Sequence, residues 1–160
     1  MSAEFQIEGL DGLLDRLKAL PKEISGKAGG PVKRSLLAGA KLIADSAKQH
    51  LQESINQPNA DGTIAQSTGK LKESIQVKRS PKPPRGVAEM VQVRVKRGKT
   101  AKGVAVTAYG KYMEFGTDKQ RALPWLRPAF ESNKEKALAV ITSALKTEIE
   151  KAERKASKLK

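Results

Sequence analysis

Five of the chain's six aromatic residues, Tyr109, Tyr112, Phe115, Trp125 and Phe130, fall within the stretch YGKYMEFGTDKQRALPWLRPAFE from Tyr109 to Glu131, leaving only Phe5 outside it. Aromatic side chains bury the largest areas and dominate both cores and contact surfaces, so the rest of the chain has to organise around this stretch. Gly116 follows an apolar turn, where a left-handed helix cap is expected because glycine reaches positive φ without steric cost. Pro124 biases Leu123 towards an extended backbone. Pro128 stands where a proline opens a helix, its missing N–H having no partner there in any case. The stretch therefore predicts a helical turn, a glycine stop, an exposed polar loop, an extended Pro-Trp-Leu and the start of a long helix. Phe115, Leu126 and Phe130 are expected in the core.

Two helices are expected before it. Leu10, Leu13, Leu14, Leu17 and Leu20 recur at helical spacing until Pro21 stops them. Ser25–Gly30 reads as a small flexible hinge. Pro31 then opens a second helix with the apolar set Val32, Leu36, Ala40, Ile43, Ala47, Leu51 and Ile55, where the alanines and Gly39 allow a neighbouring element to approach closely. Residues 56–67 hold Pro58, Asn59, Asp61 and Gly62 and read as a loop, followed by a short turn over Thr68–Glu73.

The period then changes from helical to alternating. Ile75 and Val77, then Val91, Val93 and Val95, then Val104 and Val106 alternate with polar residues, the pattern of strands with one buried face. Three strands in a row with short links predict an antiparallel meander. From Val77 to Lys102 stand nine bases (Lys78, Arg79, Lys82, Arg85, Arg94, Lys96, Arg97, Lys99, Lys102) against one acid, Glu89, a net +8 out of +14. Ser80–Gly86, SPKPPRG, lacks ladder donors at its prolines and is expected to project as an extended loop. Basic residues protect a sheet edge from pairing with the wrong chain, but +8 on one hairpin exceeds that need. The final helix is expected from Pro128 to about Ala156, with an apolar stripe through Phe130, Ala137, Ile141, Leu145, Ile149 and Ala152, broken at Glu148. Lys151–Lys160 is expected to fray.

Composition sets further bounds. A charge of +14 and a pI near 10.1 point to acidic partners: nucleic acid, anionic membrane or an acidic protein surface. With no cysteine and one histidine, His50, neither a disulfide framework nor a thiolate metal site is available, and His50 is expected to pack or face solvent. No apolar run is long enough to span a bilayer, and Met1–Glu4 lacks the features of a signal peptide, so the chain is expected in the cytosol at least initially. Gly98-Lys99-Thr100 imitates the end of a phosphate loop, but its first glycine would fall on Val93 inside a strand. Glu114, Asp118 and Glu131 have no nucleophile, metal set or histidine to work with. No enzyme, no cofactor and no metal is expected.

Three motifs in order carry a resemblance: Gly9-Leu10-Asp11-Gly12-Leu13-Leu14; Gly69-Lys70-Leu71-Lys72-Glu73-Ser74-Ile75; and Tyr112-Met113-Glu114-Phe115-Gly116-Thr117 with Pro124-Trp125-Leu126-Arg127-Pro128-Ala129-Phe130. Together they resemble the neck or tail-completion proteins of long-tailed bacteriophages. The resemblance implies a virion protein that completes the tail end or neck and joins tail to head as a ring of identical subunits. Six-fold symmetry is the expectation, with assembly in the host cytoplasm. The implied partners are itself, neighbouring neck, tail-terminator or tail-tube proteins, and DNA passing through the channel; no membrane is implied.

The expected fold class is α+β: a small antiparallel sheet of three to four strands packed by two N-terminal helices and one long C-terminal helix. It forms a single domain over 1–157, with a projecting basic hairpin at 78–102 and a frayed tail at 158–160. Phe5 and Ile7 are expected to add an edge strand. Partner contacts are expected at Arg79, Lys82, Arg85, Arg94, Lys96, Arg97, Arg121 and Arg127. Trp125 is expected to be buried within its own chain, anchoring the long helix. The competing reading is a nucleic-acid-binding module that uses the 78–102 hairpin as a basic, proline-bearing arm. Against it, the strands have no exposed aromatics for base stacking and no recognition helix is evident.

Overall fold

In the computed structural model, residues 10–20, 30–57, 68–86, 89–100, 102–118 and 120–158 are described. The elements in order are α1 (Leu10–Ala19), α2 (Gly30–Asn56), α3 (Lys70–Ser74), β1 (Ile75–Arg79), β2 (Val91–Val95), α4 (Val106–Phe115) and α5 (Leu126–Ser157). The expected edge strand at Phe5 and Ile7, and most of the Ser25–Gly30 hinge and the 56–67 loop, lie outside the described residues.

The long helices α2 and α5 form the spine. They approach closely where Gly39 faces Ile141: a Cβ on Gly39 would stand 2.4 Å from Ile141 Cγ1 and 2.9 Å from the Ala137 carbonyl. A side chain there would force Ile141 and the Ala137 backbone to shift, and Ala44 and Ala47 on α2 and Ala129 and Ala137 on α5 are buried small residues. Asn133 Nδ2 crosses it to donate to Ser46 Oγ at 2.8 Å. The main core gathers Ala47, Leu51, Ile55, Leu71, Ile75, Val106, Met113 and Trp125. Leu51 and Ala47 are fully buried, and burial of one such leucine contributes roughly 2 kcal/mol.

A smaller second cluster joins α1 to α5, with Leu13 against Leu145 and Ile149 and with Leu17 and Val32 beside them. Arg16 clamps it through a two-pronged bond to Glu153, at 2.9 Å and 2.7 Å. Among the described residues the expected fraying from Lys151 is not found: Ala152 is buried, Glu153 is paired, and the helix runs on to Ser157.

The sheet has two strands among the described residues, where three to four were expected. β1 and β2 pair antiparallel, Ile75 opposite Val95 and Val77 opposite Val93, with Gln76 and Lys78 facing the other way beside Arg94 and Gln92. The third expected strand, Val104–Val106, is instead a tight turn and the start of α4. Gly103 has φ 78°, Gly103 N donates to Thr100 O, Thr100 N donates to Val104 O, and a single bridge joins Lys99 to Ala105. The helical spacing of Val106, Gly110 and Met113, all buried in the core, prevails over the brief alternation of Val104 and Val106.

Candidate assembly interface

The Tyr109–Glu131 stretch folds as one unit built on Glu114. This carboxylate sits buried at the end of α4 and reaches across the loop to the start of α5. It accepts the backbone N–H of Trp125 at 2.8 Å, of Leu126 at 2.8 Å and of Arg127 at 3.0 Å. The first N–H groups of a helix have no partner within it. Glu114 takes three of them, and the next position is Pro128, which has no N–H to satisfy. A negative charge here also complements the positive end of the helix dipole. Trp125 is buried beside it as expected, its indole Nε1 donating to the Gly110 carbonyl at 3.2 Å.

Gly116 makes the short link possible. It has φ 75° and ψ −177°, so its positive φ is as expected, but its ψ lies outside the left-handed helical well. Its backbone is extended in a mirror-image region open to glycine alone. A Cβ there would come within 2.8 Å of the Ala122 nitrogen and the Gln120 carbonyl. Thr117 and Gln120 exchange backbone bonds at 2.8 Å and 3.2 Å to close the exposed loop. Leu123 N then returns to Met113 O at 2.7 Å. Pro124 is exposed and extended before Trp125, while Pro128 lies in the first turn of α5 and its carbonyl accepts from Ser132 Oγ at 2.7 Å.

The motif aromatics do not all go inward. Phe115 is 68% exposed and Phe130 and Tyr112 are each 48% exposed, against the expectation that Phe115 and Phe130 lie in the core. Leu126 is half-buried. The buried face of α4 is Val106, Gly110, Met113 and Glu114, and on α5 it passes through Ala129 and Ala137. Phe115 and Phe130 each stand one residue, about 100° of rotation, beyond that face. They flank a groove of about 800 Å³ between α2, β2 and the start of α5, with Leu36, Ala40, Val91 and Val93 along its walls.

The cations expected at partner contacts divide into two groups. Lys82, Arg85, Arg94, Lys96 and Arg97 are exposed on the hairpin and its flanks. Arg79 is engaged with Glu89, its Nη2 donating to Oε2 at 2.8 Å, and this bond raises the guanidinium's already high pKa. Arg121 donates to Gln57 Oε1 of its own chain at 3.1 Å. Arg127 lies 5.4 Å over the Phe115 ring and 3.8 Å from Glu114, with its side chain still mostly exposed. His50 sits on α2 with Nδ1 3.3 Å from Glu53 Oε2. Among the described residues no group of acids and histidine is arranged to hold a metal ion, and no helix is long and apolar enough to cross a membrane.

The role of Glu114 was not visible in the residue pattern, because its partners are backbone groups and carry no sequence signature. The only hint is the co-occurrence of a lone acid after an apolar turn with a proline two residues into a new helix.

Residues 11–116 match the model of a family described as "Bacteriophage HK97-gp10, putative tail-component". The match runs from α1 to Gly116 and so includes the hairpin and Glu114. No curated protein and no solved structure matches the chain.

Proposed function

The chain belongs to the HK97-gp10-like family of bacteriophage tail components, and from that premise we propose that it is a structural virion protein completing the tail end or neck. It joins tail to head as a ring of identical subunits, six in number, assembled in the host cytoplasm and retained in the virion. Its other partners are the neighbouring neck, tail-terminator or tail-tube proteins. The observation that carries this reading is the concentration of exposed positive charge on one hairpin. Lys82, Arg85, Arg94, Lys96 and Arg97 are exposed, while α2 packs against both strands and α5 packs on α2. A ring subunit needs two different contact surfaces and a steering charge for its neighbours, and a basic projection supplies the second. Arg121 and Arg127, exposed beside the closed Thr117–Gln120 loop, are the contacts proposed for the adjacent subunit.

The test is a triple reversal, Arg94→Glu, Lys96→Glu and Arg97→Glu, in a phage that depends on this protein. Joining of heads to tails is expected to fail while the fold and melting temperature hold, because solvent-facing strand positions carry little stability. Particle images of assembled tails would count the subunits, and a lone asymmetric copy would sink the ring. Normal infectious particles from the reversed variant would reduce the hairpin to a solubility device. Tight, salt-sensitive binding of free DNA by the purified chain, with no defect in assembly, would favour a nucleic-acid-binding module.

A further inference from the structure

The ladder between β1 and β2 runs through alternate residues. Ser80 N donates to Met90 O at 2.8 Å at one end, and Lys96 N donates to Ser74 O at 2.7 Å at the other. Between them Lys78 stands opposite Gln92 and Gln76 opposite Arg94. Bonded and non-bonded positions alternate in an antiparallel pair, so Val91, Val93 and Val95 are the non-bonded ones. Their N–H and C=O groups point away from β1, and none of them has a partner among the described residues. The place of a third strand beside β2 is therefore open over about 17 Å.

The same three valines line the apolar groove, with Leu36 and Ala40 of α2 on its wall and Phe115 and Phe130 half or more in solvent beside it. An unpaired strand edge next to a row of apolar contacts is what an extended peptide uses when it adds to a sheet. Its backbone supplies affinity and its alternate side chains supply specificity. Every second residue of an added strand would share the groove face with the valines, and those between would share the exposed face with Gln92 and Arg94. Charge decides what those residues are. Arg94, Lys111 and Arg127 are exposed around the site, and the one acid on its lining, Glu114, has both carboxylate oxygens committed to backbone N–H groups. Carboxylates complement these cations, whereas a second copy would bring another basic hairpin, like charge on like.

We propose that the outer edge of β2 is a strand-addition site for an extended acidic segment of another protein, with apolar residues seated in the groove and carboxylates beside Arg94, Lys111 and Arg127. The site is complete on a single chain, so it stands or falls independently of the ring and of tail joining.

The probe is a fluorescein-labelled synthetic peptide that alternates glutamate with valine and phenylalanine, titrated with the full-length protein and followed by anisotropy. Saturable binding that weakens with salt is expected, and a peptide with lysine at every glutamate should bind at least tenfold more weakly. N-methylation of one alternate set of peptide residues, the set whose N–H groups face β2, is expected to abolish binding, while methylation of the other set leaves most of it. Val93→Pro removes the central edge donor without breaking the ladder to β1, because that N–H faces outward, and should cost at least tenfold. Arg94→Glu, at an exposed position, should narrow the gap between the two peptides severalfold. The proposal is overturned by any of three results: no saturation up to millimolar peptide, equal binding of the acidic and basic peptides, or equal effects of the two methylations. Dimers of the free chain that the peptide does not dissociate would give the edge to a second copy and overturn it as well.

Discussion

Glu114 and Pro128 divide between them the opening backbone positions of α5: Glu114 accepts three N–H groups, and Pro128 occupies the next position with none to offer. Neither residue closes the helix end alone. A carboxylate brought from the preceding helix replaces the usual local cap, and no side chain at Trp125 caps the helix itself. Glu114→Ala would leave three donors without their acceptor in a site that excludes much of the water. A loss of about 2–4 kcal/mol is expected, set by the cost of losing a cap and stranding donors. Glu114→Gln should recover part of it, because one amide oxygen still accepts while the amide N–H₂ confronts the remaining donors. Urea unfolding of the three proteins checks this order, and equal stability of all three would remove Glu114 from the capping role.

The helical spine was legible because its signals are local and repeated. Pro31 opens α2, the leucines of α1 keep their period, and Val91, Val93 and Val95 alternate through the whole of β2. Val104 and Val106 alternate only once, which is too short a run to outweigh the helical set that begins at Val106. Phe115 and Phe130 show a different limit. Periodicity indicates which residues share a face, but not whether another element covers it, and each of these rings lies one residue off the covered face. Of the predicted contact residues, the exposed hairpin cations were readable from charge and proline content. The engagement of Arg79 with Glu89 and of Arg121 with Gln57 depends on how separate segments meet, which composition does not encode.

Gly116 offers a cleaner test of backbone geometry than any packed side chain. Its positive φ disfavours every L side chain, and a Cβ would also press on the backbone of Gln120 and Ala122. Gly116→Val is expected to cost about 1–3 kcal/mol from the strained backbone, with the clash adding to it. Gly103→Ala, which has a similar positive φ but open space around its Cβ position, should cost less. Thermal melts of the pair separate strain from collision. Similar losses for both would mean that φ alone matters at Gly116.

Acid should loosen α1 and the end of α5 before the main core. The Arg16 hydrogen bond holds the Glu153 carboxyl below its ordinary value, outweighing a smaller push upward from burial. At Glu148 burial pushes upward, but bonds from Lys151 and Arg34 together outweigh it and lower the value. A carboxylate depressed in the folded state contributes stability that is fully present above its unfolded value of 4.5. That contribution is lost as pH falls through the folded value. Amide exchange in α1 is therefore expected to accelerate below that value while exchange around Leu51 stays slow. Glu153→Gln should abolish most of the pH dependence in α1, and an unchanged acid limb in that variant would assign it elsewhere.

Packing and contact are divided between two residues at the start of α5. Trp125 is 3% exposed, sits in the main core and donates to the Gly110 carbonyl, so its removal opens a large cavity and orphans that acceptor. Trp125→Ala is expected to cost about 3–5 kcal/mol, the range for deleting a buried aromatic. Arg127 is different: its backbone N–H is what Glu114 holds, while its side chain lies 63% exposed over the Phe115 ring. Its 3.8 Å approach to Glu114 is screened by solvent, and a cation resting on an exposed ring contributes only about 0.5–1 kcal/mol. Arg127→Ala should therefore melt within a few degrees of the parent yet assemble poorly, since its exposed guanidinium is the contact proposed for the adjacent subunit. Melting curves and assembly yields, measured on both variants, give two independent readings. A large fall in melting temperature for Arg127→Ala with none for Trp125→Ala would reverse the two roles, and normal assembly of Arg127→Ala would remove Arg127 from the subunit contact.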